Sequence, residues 1–188
     1  MSKIKVGIVS GNLGSPSKTL ALAGQILEAV QRLAPVDKEL HSLAELAPVF
    51  GPARSPAELP EAGHAVLRSI VAADLLIAVT PVYKGSYTGL FKHLFDFIDP
   101  KALNGVPVIL GATGGGDKHA LIVEHQLRPL FGFFGAWTVP SGVYASDQLY
   151  DGSRFADPTV LERIDTAARQ AVDAVRLRQQ SFHPAQAA

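Results

Sequence analysis

The sequence contains no cysteine. Disulfides, thiolate nucleophiles and cysteine-ligated zinc or iron–sulfur centres are therefore excluded. An excess of either charge is also missing: 17 Lys plus Arg balance 17 Asp plus Glu in 188 residues. Such a chain has no field to draw in nucleic acid or an anionic membrane, and it does not suit a strongly acidic electron carrier that docks by charge. No apolar run reaches the roughly 20 residues that span a bilayer. The longest, around residues 71–82, is interrupted by Asp74 and Thr80. The opening MSKIKVGIVSG has too short an apolar stretch for a secretory signal, so a cytoplasmic location is expected. What is abundant is apolar residues, 47% of the chain, enough for one sizeable core. A single domain over residues 1–180 with a mobile tail from 181 is expected.

Apolar patterning alternates between strand and helix. Residues 3–10 read as a buried strand and 17–34 as a helix, with Leu20, Ala23, Leu27 and Val30 on one face and Pro35 as its stop. A strand over 36–42 carries Asp37, Lys38 and Glu39, which suits a sheet edge. Prolines 48, 52, 56 and 60 mark residues 43–60 as loop. Residues 61–73 are helical, 74–80 (DLLIAVT) form a buried strand, and Leu90, Phe91, Leu94, Phe95 and Ile98 stripe the next helix. A strand over 106–112, a helix over 118–134, an edge strand over 137–143 containing Pro140 and a helix over 158–179 complete the pattern. Alternation of this kind gives an α/β three-layer sandwich, its parallel sheet covered on both faces. Five strands with a weak second and fifth fit the order 2-1-3-4-5 of the flavodoxin-like sheet.

The crevice of such a sheet lies at the carboxyl ends of its strands, so the loops after strands one, three and four carry the chemistry. The first, SGNLGSPSKT, joins a strand to a helix N-terminus, whose free amides attract phosphate. Ser10, Ser15, Ser17 and Thr19 add hydroxyls and Lys18 adds a charge. An ordinary capped turn uses the same residue types. Spacing excludes two alternatives: Ser17 stands where a Walker A loop needs glycine, and Gly11-Asn12-Leu13 is not the Gly-x-Gly of a Rossmann fingerprint. A monoester phosphate, as in FMN, fits better than a triphosphate. The second loop offers Tyr83 and Tyr87 as flat faces, shaped by Pro81 and Gly85. Lys92 is a ligand-facing charge or a surface cation paired with Asp96 at i+4. The third loop has three consecutive glycines, Gly114 to Gly116, which suit either close backbone approach to a ligand or a flexible connection. The histidines show no metal spacing; His41, His64, His93 and His183 read as surface or structural.

On Ser10 to Thr19, TPVYKGSYTGLFKHLFD (residues 80–96) and ATGGGDKHALIVEHQLRP (112–129), the chain resembles the NAD(P)H-dependent FMN reductases. Within that family it is similar to the reductase components of two-component alkanesulfonate and methanesulfonate monooxygenases. The resemblance implies a phosphate site at Ser10, Ser15, Ser17, Lys18 and Thr19. It implies an isoalloxazine site at Pro81, Val82, Tyr83, Ser86, Thr113, Gly114 and Gly115. FMN, as substrate or loosely bound cofactor, and NAD(P)H are implied, with a partner monooxygenase in sulfonate sulfur assimilation and a homodimer or homotetramer. Lys18 departs from the Arg of many relatives, exchanging a bidentate fork for a point charge. Pro129 interrupts the helix over 118–134, since it has no N–H for the carbonyl of residue 125. A kink or a π-bulge absorbs such a proline. By resemblance the bulge is a π-helix at a tetramer interface, with His125 as its inserted residue. A quinone or azo reductase holding FMN permanently and a non-enzymatic flavodoxin-type carrier are the alternatives on the same fold.

Overall fold

The computed structural model describes residues 3–182. Its sheet is parallel throughout and runs β2-β1-β3-β4-β5. Strands β1 (Ile4–Ser10), β3 (Leu75–Pro81) and β4 (Pro107–Gly114) are the buried centre. Strand β2 (Val36–Ser42) is the charged edge, with residues 37–40 exposed. Helices α1 (Lys18–Gln31) and α6 (Pro158–Phe182) cover one face; α2 (Leu43–Phe50), α3 (Glu61–Val71), α4 (Gly89–Asp96) and α5 (Arg128–Phe133) cover the other. The expected order and three layers are present. Among the described residues no helix is long and apolar enough to cross a membrane.

Four expectations need correction. First, residues 43–60 are not all loop: α2 forms with Pro48 inside it. Leu43 and Phe50 are fully buried at its ends, and burying such a side chain contributes about 1.5–3 kcal/mol, enough to outweigh one lost helix bond. The His93 ring donates from Nε2 to the Phe50 and Ala53 carbonyls, at 3.0 and 2.9 Å, and so satisfies acceptors at the end of α2.

Second, the expected fifth strand is two strands, so the sheet has six: β5 (Trp137–Thr138) and β6 (Val143–Ser146), both parallel to β4. Pro140 cannot donate to the ladder, and the Ser141 amide turns to Gln170 Oε1 at 2.9 Å. The Arg128 guanidinium takes up the freed acceptors, donating to the Val139 and Pro140 carbonyls at 3.0 and 3.2 Å.

Third, the helix expected over 118–134 is not continuous from its start: a separate 3-10 turn (Asp117–His119) comes first, while the π-turn expected around His125 is present (Val123–Leu127) and leads into α5. The Arg128 amide bonds the Val123 carbonyl, five residues back. Fourth, α6 runs past Gln179 to Phe182, and the tail expected from 181 otherwise lies outside the described residues, as does His183.

Candidate functional site: a cleft at the carboxyl ends of the strands

Loops after β1, β3 and β4 meet in one cleft of about 370 Å³. Its first wall is the turn into α1. Ser17 is the N-cap, extended at φ −133° and ψ 118°, and its Oγ accepts from the Leu20 amide. The hydroxyl proton stays available to a ligand. The first turn of α1 holds no acidic residue, so the partial positive charge of its amides is not offset locally. The loop before it is braced: Asn12 Nδ2 donates to the Gly14 carbonyl, and Ser42 Oγ donates to Asn12 Oδ1.

The second wall is the loop after β3. Tyr83 and Ser86 exchange backbone hydrogen bonds across a tight turn, with Lys84 at φ 52° and Gly85 at φ 83°. Positive φ at two successive central residues is the twist of a type I′ turn; Gly85 adopts it freely, and Lys84 is the one strained residue. The loop is anchored by the Val82 amide on the Thr113 carbonyl at 2.8 Å. The Tyr83 side chain projects into solvent, with 52% of its surface exposed.

The floor and third wall come from the end of β4. Thr19 and Thr113 hydroxyls bond each other at 2.7 Å and tie α1 to β4. At Gly114 a Cβ would lie 2.7 Å from Tyr144 Oη and 3.2 Å from Val82 Cγ2, so a side chain there would push against both neighbours. Around Gly115 and Gly116 a side chain would meet nothing within 4 Å. Tyr144 Oη donates to the Gly116 carbonyl at 2.6 Å and fixes the loop. Burial pushes that phenol above its ordinary value, which keeps it protonated as a donor.

Of the expected residues, Ser15, Ser17, Lys18, Thr19, Pro81, Val82, Tyr83, Thr113, Gly114 and Gly115 line this one cleft. Ser10 is fully buried beneath it, its Oγ without a protein partner. Ser86 does not line the cleft: its hydroxyl donates to Gln126 Oε1 in the π-turn at 3.1 Å. His125 is exposed in a second cleft of about 560 Å³ between α4 and the π-turn. Lys92 pairs with Asp96. His41, buried against Ser69 Oγ at 3.0 Å, is structural.

Sequence reasoning missed Asp147 and Ser146. With the fifth strand read as ending at residue 143, the true strand end went unread. Strand β6 ends at Ser146, opposite Gly114, and delivers Asp147 into the cleft. Ser146 Oγ is buried without a partner, like Ser10 Oγ.

The cleft meets what FMN requires. It has uncompensated helix amides and hydroxyls for a phosphate, an exposed aromatic face, a glycine-lined edge for the polar side of a flat ring, and two unpartnered buried hydroxyls within two residues of its walls.

Residues 4–151 match the family described as NADPH-dependent FMN reductase. The chain is 45% identical over 170 residues to an FMN reductase (NADPH) of Pseudomonas aeruginosa, covering 90% of this chain and 91% of the relative. It is 46% identical over 167 residues to the NADH-dependent FMN reductase SfnF of Pseudomonas putida, covering 87% and 89%. Among solved structures, an oxidoreductase of Corynebacterium diphtheriae superposes with TM-score 0.84 at 33% identity, over 93% of this chain and 98% of that one.

Proposed function

Because the chain belongs to the NADPH-dependent FMN reductase family, we propose that it uses NAD(P)H to reduce FMN and releases the reduced flavin to a flavin-dependent monooxygenase of sulfonate sulfur assimilation, in the cytoplasm. The observation that carries the reading is the single cleft joining the α1 N-terminus to the glycine-lined end of β4. Bound there, FMN would supply the hydride-accepting ring, with the loop after β3 and the end of β4 holding it in place.

The chain's own part is alignment. Ser15, Ser17, Thr19 and the α1 amides hold the phosphate, with Lys18 as the one cation in the cleft wall among the described residues. The loop of Pro81, Val82 and Tyr83 backs the ring, and Thr113, Gly114 and Gly115 present backbone to its pyrimidine edge. No nucleophile or acid is needed, since hydride transfer depends on proximity and orientation.

The π-turn that contains His125 belongs to the same proposal. His125 and Phe133 (70% exposed) open onto the second cleft, an apolar surface suited to a neighbouring subunit of a homodimer or homotetramer. Deleting His125 is expected to restore regular helix, loosen assembly and increase flavin retention; unchanged assembly and retention in that variant refute the assignment.

Flavin titration tests the cleft. Ser17→Ala combined with Lys18→Ala removes charge-assisted bonds worth about 1–3 kcal/mol each, so FMN affinity should fall by tenfold or more. Riboflavin, which lacks the phosphate, should bind worse than FMN to the unmodified protein. Anaerobic mixing with NAD(P)H and excess FMN should yield many equivalents of free reduced flavin. One inseparable FMN with faster reduction of quinones or azo dyes overturns release. No reduction by either nucleotide overturns the enzyme.

A further inference from the structure

Among the described residues, Asp147 is the only carboxylate in the wall of the proposed anion site. Its Oδ2 lies 3.2 Å from Lys18 Nζ, and the two side chains are 39% and 41% exposed. The placement is fixed by the fold. Ser146 is buried at the end of β6 in register with Gly114, and Asp147 opens a 3-10 turn closed by the Tyr150 amide on the Asp147 carbonyl. The Tyr150 ring lies 6.0 Å from Lys18 Nζ, on the same side chain. Helix α1 thus carries no acid in its first turn, yet the distant end of the sheet brings one to its only cation.

We propose that Asp147 is an affinity-setting residue that competes with the flavin phosphate for Lys18 and so favours FMN as a leaving substrate. This rests on the phosphate site of the proposed function. A phosphate monoester carries close to two negative charges at neutral pH. To engage Lys18 it must share or displace the Asp147 carboxylate, at the cost of that ion pair. Release of the flavin restores the Lys18–Asp147 pair. An arginine fork can grip two oxyanions side by side, whereas a lysine ammonium is a single compact charge, so the competition is sharper with Lys18. Riboflavin does not contest Lys18, so Asp147 also narrows the preference for FMN over riboflavin.

Flavin fluorescence titrations with FMN and riboflavin test this on the unmodified protein, Asp147→Asn, Lys18→Ala and the double variant. Asp147→Asn preserves shape and should tighten FMN by roughly threefold to tenfold, the scale of a half-exposed charge contact. Riboflavin affinity should stay the same, FMN dissociation in stopped flow should slow, and the gain should shrink at high ionic strength. In the Lys18→Ala background the gain should fall by more than half. Unchanged or weaker FMN binding in Asp147→Asn overturns the proposal, as does equal tightening of riboflavin or a full gain without Lys18. Asp147→Ser gives the same readout should the Asn variant fold poorly. The two readings fail separately. Equal affinity of the unmodified protein for FMN and riboflavin refutes the phosphate site. A clear preference for FMN that Asp147→Asn leaves untouched refutes only the role of Asp147.

Discussion

Helix α1 and the segment over residues 117–133 both leave a central strand through a loop that lines the cleft, and both pack against the sheet. They are built on opposite plans. Helix α1 is 14 residues of unbroken helix, capped by Ser17, with Leu22, Ala23, Ile26 and Val30 buried at helical spacing. The 117–133 segment changes hydrogen-bonding pattern twice before it becomes the six-residue α5. The first meets its neighbours through a continuous apolar stripe, so local signals and packing agree. The second must also serve the break between β5 and β6. Arg128 reaches Thr138, Val139 and Pro140, while Glu124 holds the guanidinium from one turn earlier. With Pro129 unable to donate, the π-turn lets the backbone run on to α5 while Arg128 stays turned to that edge. Regularity was kept where one face had one task and given up where one segment had two.

The largest effect expected from breaking this contrast is at Gly142, just before β6. A Cβ there would stand 2.3 Å from Val123 Cγ1 in the π-turn. Valine is stiff at χ1 and cannot easily turn away. Gly142→Ala should therefore cost about 2–3 kcal/mol in urea unfolding, while an alanine at Gly24 in α1, where nothing lies within 4 Å, should cost nothing or stabilise. Equal responses at the two sites would erase the contrast.

Next in size is Arg128→Met, which leaves the Val139 and Pro140 carbonyls without their donor. A loss of about 2 kcal/mol is expected. Arg128→Lys should recover only part of it, because an ammonium cannot span five acceptor atoms on four residues as the fork does. Full recovery by lysine would show that charge alone matters there.

On the regular side, Ser17→Ala removes the cap of α1 and should cost about 1 kcal/mol by the same measurement. Ser17→Gly should cost less in stability while weakening FMN equally, since both lose the hydroxyl. A glycine variant that keeps FMN affinity would separate the cap from the site.

The smallest effect is expected outside both segments, at His41 on β2. Burial holds its imidazole below the ordinary 6.5, partly opposed by the nearby Glu39 carboxylate. A depressed folded value means that the fold prefers the neutral ring. The stability it contributes is present above pH 6.5 and is lost as pH falls through the folded value. Melting temperatures between pH 8 and pH 5 should thus fall less in His41→Gln than in the unmodified protein. Parallel curves would exclude His41 from the acid response.

Much of the molecule is legible in the residues. The apolar runs of β1, β3 and β4 name the buried strands, and Asp37, Lys38 and Glu39 name an edge. Ser17, Lys18 and Thr19 mark the turn into α1 as donor-rich, and the fold brings all three into the cleft wall. Pro129 points to a π-turn because a proline inside a helix leaves only a few ways to continue. Less legible were α2, where Pro48 reads as a breaker until Leu43 and Phe50 are seen packed, and Ser86, whose hydroxyl goes to Gln126 rather than to the cleft.

The sequence by itself determined which stretches bury, the alternation that makes the sheet parallel, and the donor-rich turn into α1. All of these depend on side chains close together in the chain. Only the tertiary structure decided that Pro140 splits the last strand, that Arg128 bridges the split, and that Asp147 arrives beside Lys18. Each of these joins groups distant in sequence. Hydrogen-bond satisfaction and charge contact at 3 Å depend on where the folded backbone brings them, which no local pattern encodes.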